Sequence, residues 1–137
     1  MRVIGFSFDR INVERLKDNP REIKINTNID ISEIKEIKTD ILKTKENILK
    51  VVFSYIIKYE PGFAHVELRG HILLSIDEKS SKEVLKDWKK KLMPGDFRTF
   101  IFNVVLRKSS IKALALEDEL SLPLHMPLPR IKSGNEK

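Results

Sequence analysis

The sequence has 137 residues and carries 26 lysines and arginines against 20 aspartates and glutamates, a formal net charge of +6, so it fits about one basic domain. Because it contains no cysteine, disulfides, cysteine-ligated zinc, iron–sulfur clusters and thiol nucleophiles are excluded. No apolar run approaches the roughly 18 residues of a membrane span, and the N-terminus lacks the layout of a signal peptide, so we expect a cytoplasmic protein.

The first predicted element is a β-strand whose apolar side chains occupy every second position, namely Ile4, Phe6 and Phe8. The alternation then changes phase, and Ile11 and Val13 point inward. Such a change of phase indicates a β-bulge near position 10.

A second strand is predicted after a turn at Asn19-Pro20. Polar residues alternate with its inward row, which consists of Ile23, Ile25, Thr27, Ile29 and Ile31. The following segment, 32–47, has two interpretations. Its apolar residues are Ile34, Ile37, Ile41 and Leu42. They fit either one stripe of a helix, or the end of a bent strand followed by a long hairpin loop. We favour the second, extended interpretation.

The third and fourth strands are predicted to form a long antiparallel hairpin. A turn at Tyr59-Glu60-Pro61-Gly62 joins them, since proline and glycine suit its central positions. The apolar row of the third strand is Val51, Phe53, Tyr55, Ile57 and Tyr59. The row of the fourth strand is Ala64, Val66, Leu68, Gly70, Ile72, Leu74 and Ile76.

Two helices are predicted after the strands. Ser80 or Ser81 caps the first helix, whose apolar stripe is Val84, Leu85, Trp88 and Leu92. The segment Met93-Pro94-Gly95 ends it, and Asp96 is predicted to cap the second helix. That helix is long and apolar, and its buried side carries Phe97, Phe100, Ile101, Val104 and Val105.

A tail with alternating prolines, Leu122 to Pro129, cannot be helical, so we expect it to be extended and to dock in a groove or beside the sheet.

The sequence therefore predicts one domain, with a sheet in residues 1–78, two helices in 79–121 and a proline-rich tail in 122–137. The fold class is α+β, a four-stranded antiparallel sheet with both helices packed on one face. The second helix carries more apolar residues than it needs to cover one face of the sheet. This excess favours an oligomer or a binding surface.

No residue pattern predicts an enzyme. The motifs HExxH, GxxxxGK[ST], GxGxxG and GxSxG do not occur. His65 and His71 share a strand face but lie about 20 Å apart, too far to bind one metal, and with His125 they are expected at the surface. The carboxylates of Glu117-Asp118-Glu119 point in different directions on a helix and are expected in solvent. We therefore expect no catalytic residue, no metal and no cofactor.

A lysine cluster is predicted near the end of the first helix, and its members are Lys86, Lys89, Lys90 and Lys91. These side chains can attract phosphates or an acidic partner. A solvated helix face is the simpler interpretation, since few aromatic residues stand among the lysines. A nucleic-acid- or ribosome-associated protein that uses these lysines is our alternative hypothesis.

Three aromatic residues flank Met93-Pro94-Gly95, namely Trp88, Phe97 and Phe100. They fit ordinary core packing. They also fit a groove that accepts apolar segments of other chains, since methionine adapts to varied shapes.

The layout as a whole resembles the SecB family of export chaperones, in which four long antiparallel strands precede a helix, a short crossover, a long second helix and a tail with prolines. The run Gly70-His71-Ile72-Leu73-Leu74-Ser75-Ile76 resembles the family's glycine and Ile-Phe-x-Ile stretch that close strand four. The run Phe100 to Ile111 resembles the start of its second helix. The run Leu120-Ser121-Leu122-Pro123-Leu124-His125-Met126-Pro127-Leu128 resembles the Phe-Pro-x-Leu-x-Leu-x-Pro-Val segment that follows.

This resemblance implies an ATP-independent chaperone that holds unfolded or nascent polypeptides in apolar grooves near the crossover and the second helix. It also implies a homodimer, or a homotetramer built as a dimer of dimers, with the helices sandwiched between sheets. On this sequence the client-binding residues would be Trp88, Leu92, Met93, Phe97 and Phe100.

Two features depart from the family pattern. Members of the bacterial export type are acidic, and a glutamate of their sheet docks the SecA motor; counting back from Gly70, His65 stands at that position here. The present chain is basic. We therefore expect a SecB-like protein outside the main export route, such as an archaeal or toxin–antitoxin-associated chaperone.

Overall fold

A computed structural model describes residues 1–18, 22–38 and 46–134. Within these ranges the chain forms four strands and then two helices. They are β1 (Arg2–Arg15), β2 (Lys24–Ile37), β3 (Glu46–Glu60), β4 (Ala64–Asp77), α1 (Glu78–Trp88) and α2 (Gly95–Glu119). Neither helix offers a stretch long and apolar enough to cross a membrane.

The strands form one antiparallel sheet in the order β1-β4-β3-β2. The predicted hairpin is its centre, and its register runs from Glu46 opposite Asp77 to Tyr59 opposite Ala64. Among the described residues, β1 and β2 each have a neighbouring strand on one side only. The outer edge of β2 therefore presents backbone N–H and C=O groups that no strand of the described chain pairs.

One face of the sheet carries the core, because the predicted apolar rows of β3 and β4 are buried there from Val51 to Tyr59 and from Ala64 to Ile76. Both helices contact this sheet, and each touches β2, β3 and β4. The side chains that α2 buries include Phe97, Ile101, Val105, Ala113 and Leu116. The predicted α+β fold class, with two helices packed on one face of a four-stranded antiparallel sheet, is confirmed.

β1 contains two bulges relative to β4. The bulge at positions 8–10 was predicted, but the bulge at positions 3–5 was not. Ile4 is the extra residue of this bulge, without a partner in β4, and is 40% exposed, while Val3 pairs with Leu74 and packs against the core instead. Placing Ile4 on the inward row was therefore wrong.

Both helices begin at residues other than the predicted caps. Asp77 caps α1, because its Oδ2 accepts a hydrogen bond of 3.0 Å from the Ser80 backbone N–H, whereas Ser81 is buried. This hydrogen bond holds the pKa of the Asp77 carboxyl below its usual value. Pro94 occupies the N-cap position of α2, so Asp96 lies inside the first turn, where its charge complements the helix dipole.

The extended interpretation of segment 32–47 agrees with both described ends, because β2 continues to Ile37 and β3 begins at Glu46. The register of β2 shifts between Ile31 and Glu33, which allows Ile31 and Ile34 both to be buried. Positions 41 and 42, and the predicted turn at 19–20, lie outside the described residues.

Candidate functional site

A groove of about 470 Å³ lies between the edge of the sheet and the helices. β2 forms one wall, and the segment from the end of α1 to the second turn of α2 forms the other. We name it the edge groove, and it is lined by Ile29, Asp30, Ile31, Trp88, Lys91, Met93, Arg98 and Phe102.

The tight connection between the helices brings Trp88 and Met93 to the same wall. Lys91 adopts the left-handed backbone conformation, with a φ of 59°, and this conformation ends the helix. The Lys91 N–H donates to the Trp88 carbonyl at 2.8 Å, and the Leu92 N–H donates to the Asp87 carbonyl at 3.1 Å. These two bonds satisfy carbonyls of the last turn and reverse the chain within three residues, so Met93 follows Trp88 into the edge groove.

Two cations of the edge groove stand over aromatic rings. The Lys91 Nζ lies 4.5 Å from the centroid of the Trp88 ring. The guanidinium carbon of Arg98 lies 4.9 Å from the centroid of the Phe102 ring. Each such contact is worth roughly 0.5–1 kcal/mol at an exposed site, enough to favour one placement of a flexible cation. The edge groove thus combines several apolar side chains with two positioned positive charges.

The structure separates the five predicted client-binding residues. Trp88 and Met93 line the edge groove. Leu92 stands between them in the connection, and 60% of its surface is exposed. Phe97 is only 2% exposed and packs in the core, so it offers almost no surface to a ligand. Phe100 is half-buried against the core and does not line the edge groove.

Sequence reasoning missed four apolar or cationic residues of the edge groove, namely Ile29, Ile31, Arg98 and Phe102. Ile29 and Ile31 belong to a predicted inward row, but the sequence does not tell which strand lies beside the helix connection. Arg98 and Phe102 are four residues apart on α2 and therefore share one helix face. This spacing of four residues is the feature of the sequence that could have indicated that Arg98 and Phe102 lie together.

The predicted basic patch is exposed at the C-terminal end of α1. Lys86 lies in the last turn, and Lys89 and Lys90 follow it, all three in solvent. Positive charge at this end also complements the helix dipole, which gives these lysines a structural reason to be there. Lys91 is exposed as well, but its ammonium group lies over a ring of the edge groove. Phosphate binding by the patch stays a prediction.

A buried polar cluster joins β3, α2 and the C-terminal tail. The Tyr59 hydroxyl donates to Oε2 of Glu117 at 2.5 Å, and Nδ1 of His125 lies 2.6 Å from Oε1 of the same carboxyl. The other ring nitrogen, Nε2 of His125, lies 2.9 Å from the Tyr55 hydroxyl. That hydroxyl also lies 3.1 Å from Oγ of Ser110. Each of these side-chain groups has a hydrogen-bond partner within the cluster, so polar atoms that the fold buries are satisfied there.

Two surface predictions fail at this cluster. Glu117 is fully buried, and the His125 side chain is only 5% exposed. The reason is that the tail turns back over the end of α2: Leu122 enters the core, and the Pro123 carbonyl oxygen lies 2.6 Å from the Tyr59 hydroxyl oxygen. The two acidic neighbours at positions 118 and 119 remain in solvent, as predicted.

The outer face of the sheet carries the other two histidines, each beside a residue of β1. Nδ1 of His71 lies 2.8 Å from Oδ2 of Asp9, and Nε2 of His65 lies 3.4 Å from the Asn12 amide nitrogen. Across residues 1–18, 22–38 and 46–134, no group of three or more metal-ligating side chains occurs.

These features define a SecB-like fold: a four-stranded antiparallel sheet, two helices on its inner face and an extended tail. A solved structure with this fold is that of the Mycobacterium tuberculosis SecB-like chaperone Rv1957 in complex with a ChAD peptide from the Rv1956 HigA1 antitoxin. It matches this chain with a TM-score of 0.56 and 11% sequence identity, over 96% of this chain and 87% of that one. No protein-family model matches the sequence, and no curated protein matches it.

Proposed function

We propose that this protein is an ATP-independent chaperone that holds unfolded or nascent polypeptide segments in the edge groove. The observation that carries the proposal is the position of the groove, where Trp88 and Met93 face Ile29 and Ile31 beside the open edge of β2. The SecB-like neighbour supports it, because that protein is a chaperone and its structure holds a peptide.

Two kinds of contact would hold a client segment here. An extended backbone can pair with the free N–H and C=O groups of the β2 edge, which requires no particular sequence. Apolar side chains of the client can pack between Ile29, Trp88 and Met93. The thioether of methionine adapts to side chains of different shape, and this suits a protein that binds many unfolded chains.

The same proposal covers assembly and location. We propose a homodimer or a homotetramer, since Leu106 and Ile111 on α2 are 45% and 62% exposed and a second copy can bury them. We further propose a cytoplasmic protein without catalytic activity or cofactor. His65, at the position where the resemblance places the SecA-docking glutamate, favours clients outside the main export route, for example an unstable partner such as an antitoxin.

The test uses light scattering coupled to size exclusion, with a chemically denatured client protein and no nucleotide. We expect a complex of defined mass that forms at physiological and at high salt, because apolar contacts do not weaken as salt is raised. Met93→Ser should reduce capture several-fold, whereas Met126→Ser should not, since Met126 is an exposed methionine of the tail outside the edge groove. A monomer that captures no client would refute the proposal.

The exposed lysines of α1 support a second candidate function, binding of nucleic acid or the ribosome. Its distinguishing property is salt dependence, because each phosphate contact makes the logarithm of affinity fall by about 0.7–0.9 per logarithm of salt. Reversal of Lys86, Lys89 and Lys90 to glutamate should abolish such binding while client capture persists. Unchanged RNA binding by this variant would exclude the lysine patch as the site.

A further inference from the structure

We infer that the edge groove selects extended segments in which an acidic side chain stands beside apolar ones. This inference rests on the proposed chaperone function and names the chemistry of the preferred client. The relevant observation is the pair of positioned cations, Lys91 over Trp88 and Arg98 over Phe102, in a groove whose other lining residues are apolar except for Asp30.

Neither cation is neutralised by a carboxylate of the described chain. Neither Lys91 nor Arg98 forms an ion pair within residues 1–18, 22–38 and 46–134. A ring holds each cation in place without cancelling its charge, since a cation–π contact is weaker than a charge-assisted hydrogen bond. Both cations therefore remain available to a carboxylate that enters the edge groove.

Three acidic residues lie in the edge groove or close to its cations in sequence, namely Asp30, Asp87 and Asp96. Asp30 lines the edge groove, but it alternates with Ile29 and Ile31, so its side chain is directed to the opposite face of the sheet. Asp87 and Asp96 flank the connection in sequence, yet neither lies within ion-pair distance of Lys91 or Arg98. The charge that faces a bound segment is therefore positive.

The arrangement discriminates clients by charge in two ways. A client carboxylate that meets Lys91 or Arg98 gains an ion pair while its apolar neighbours pack on Trp88 and Met93. A lysine or arginine at the same place of the client meets like charge in a partly desolvated groove, which is unfavourable. The net charge of +6 acts in the same direction at longer range and attracts acidic segments during encounter.

The test compares two fluorescent peptides of about 15 residues that share the same leucines and phenylalanines, one carrying two glutamates between them and the other two lysines. At physiological salt we expect the acidic peptide to bind about tenfold more tightly, the sum of two weak pairs gained and two repulsions avoided. Lys91→Glu with Arg98→Glu should reverse the order of the two peptides.

The matched control is Lys79→Glu with Arg107→Glu, which makes the same change of charge at two exposed positions that do not line the edge groove. It should keep the preference for the acidic peptide, and circular dichroism verifies that both variants are folded. Equal affinity for both peptides, or an acidic preference that survives in the Lys91 and Arg98 variant, would overturn the inference and leave the proposed function standing. Binding of neither peptide would overturn both.

Discussion

Glu117 and His125 are eight residues apart and form a buried pair in which Nδ1 of the imidazole lies 2.6 Å from Oε1 of the carboxyl. Their side chains are 0% and 5% exposed, respectively. Because α2 ends at Glu119, the pair exists only when the tail turns back over the end of that helix. The contact therefore connects the tail to the core, and the Tyr59 hydroxyl supports it from β3.

Removal of the Glu117 carboxyl should destabilise the protein strongly. Glu117→Ala leaves the His125 ring and backbone N–H without their acceptor in a buried place, and leaves the Tyr59 hydroxyl only the Pro123 carbonyl. We therefore expect the free energy of unfolding to fall by about 3 kcal/mol. Glu117→Gln keeps the size and one acceptor oxygen and should cost about half as much. Urea unfolding measures both, and Glu119→Ala, an exposed neighbour, should stay within about 0.5 kcal/mol of wild type. An effect of Glu117→Ala as small as that of the control would contradict the role of the cluster.

The two tyrosines of the chain should make the protein sensitive to alkali. Burial, and then the hydrogen bond to Glu117, raises the pKa of Tyr59, and burial likewise raises the pKa of Tyr55. Above the ordinary tyrosine pKa of about 10 the unfolded chain releases these protons while the folded chain keeps them, so stability is complete below about pH 10 and falls as pH rises.

The expected slope is up to about 1.4 kcal/mol per pH unit for each tyrosine. Urea unfolding between about pH 9 and about pH 11 measures it, and tyrosinate absorbance reports whether the folded protein ionises. Tyr59→Phe should remove the contribution of one tyrosine from the slope. If wild type and Tyr59→Phe lose stability in parallel, Tyr59 does not keep its proton in the folded state.

The fold was predictable because its largest signals are periodic and local. The rows from Val51 to Tyr59 and from Ala64 to Ile76 alternate with period two, and any strand with that pattern buries one face. The position of Ile4 was not predictable, because the bulge that turns it outward is set by pairing with β4 rather than by its neighbours in sequence.

The candidate site was predictable only in part, because some of its contacts depend on strand pairing and chain reversal rather than on neighbours in sequence. Trp88 and Met93 were found because they flank a sequence-local connection. Ile29 and Ile31 face them only since β2 takes the outer place in the sheet, which depends on strand order. The burial of Glu117 depends on the returning tail, and nothing in the helix itself distinguishes it from its two acidic neighbours.

Gly70 should be required by the close approach of its neighbours in the sheet. A Cβ at this position would clash with the backbone oxygen of Ser7 and would lie 2.9 Å from the Phe53 ring. We expect Gly70→Ala to lower the free energy of unfolding by about 2–3 kcal/mol, since β1 or the ring has to move. Gly95→Ala is the matched control: no atom lies within 4 Å of the added carbon, and alanine favours the first turn of α2. Thermal unfolding compares the two variants. If Gly70→Ala and Gly95→Ala lower stability equally, the close contacts at Gly70 are not the reason for a glycine there.

Holding of clients should be separable from folding within the helix connection. Leu92 is 60% exposed and stands in the connection between Trp88 and Met93, so under the proposed function a client held in the edge groove extends onto it. Leu92→Ser should change stability by less than about 0.5 kcal/mol while it reduces suppression of client aggregation several-fold. Phe97→Ser should instead unfold the protein, because replacing a side chain that is 2% exposed leaves a cavity and a buried hydroxyl. The expected loss in the free energy of unfolding is about 3–5 kcal/mol.

Leu128→Ser is the matched control for Leu92→Ser, since it removes a leucine of similar exposure, 53%, from the tail. Aggregation of a denatured client, followed by light scattering beside a melt of each variant, distinguishes the two effects. Equal loss of holding in the Leu92 and Leu128 variants would show that general surface hydrophobicity, rather than the helix connection, captures the client.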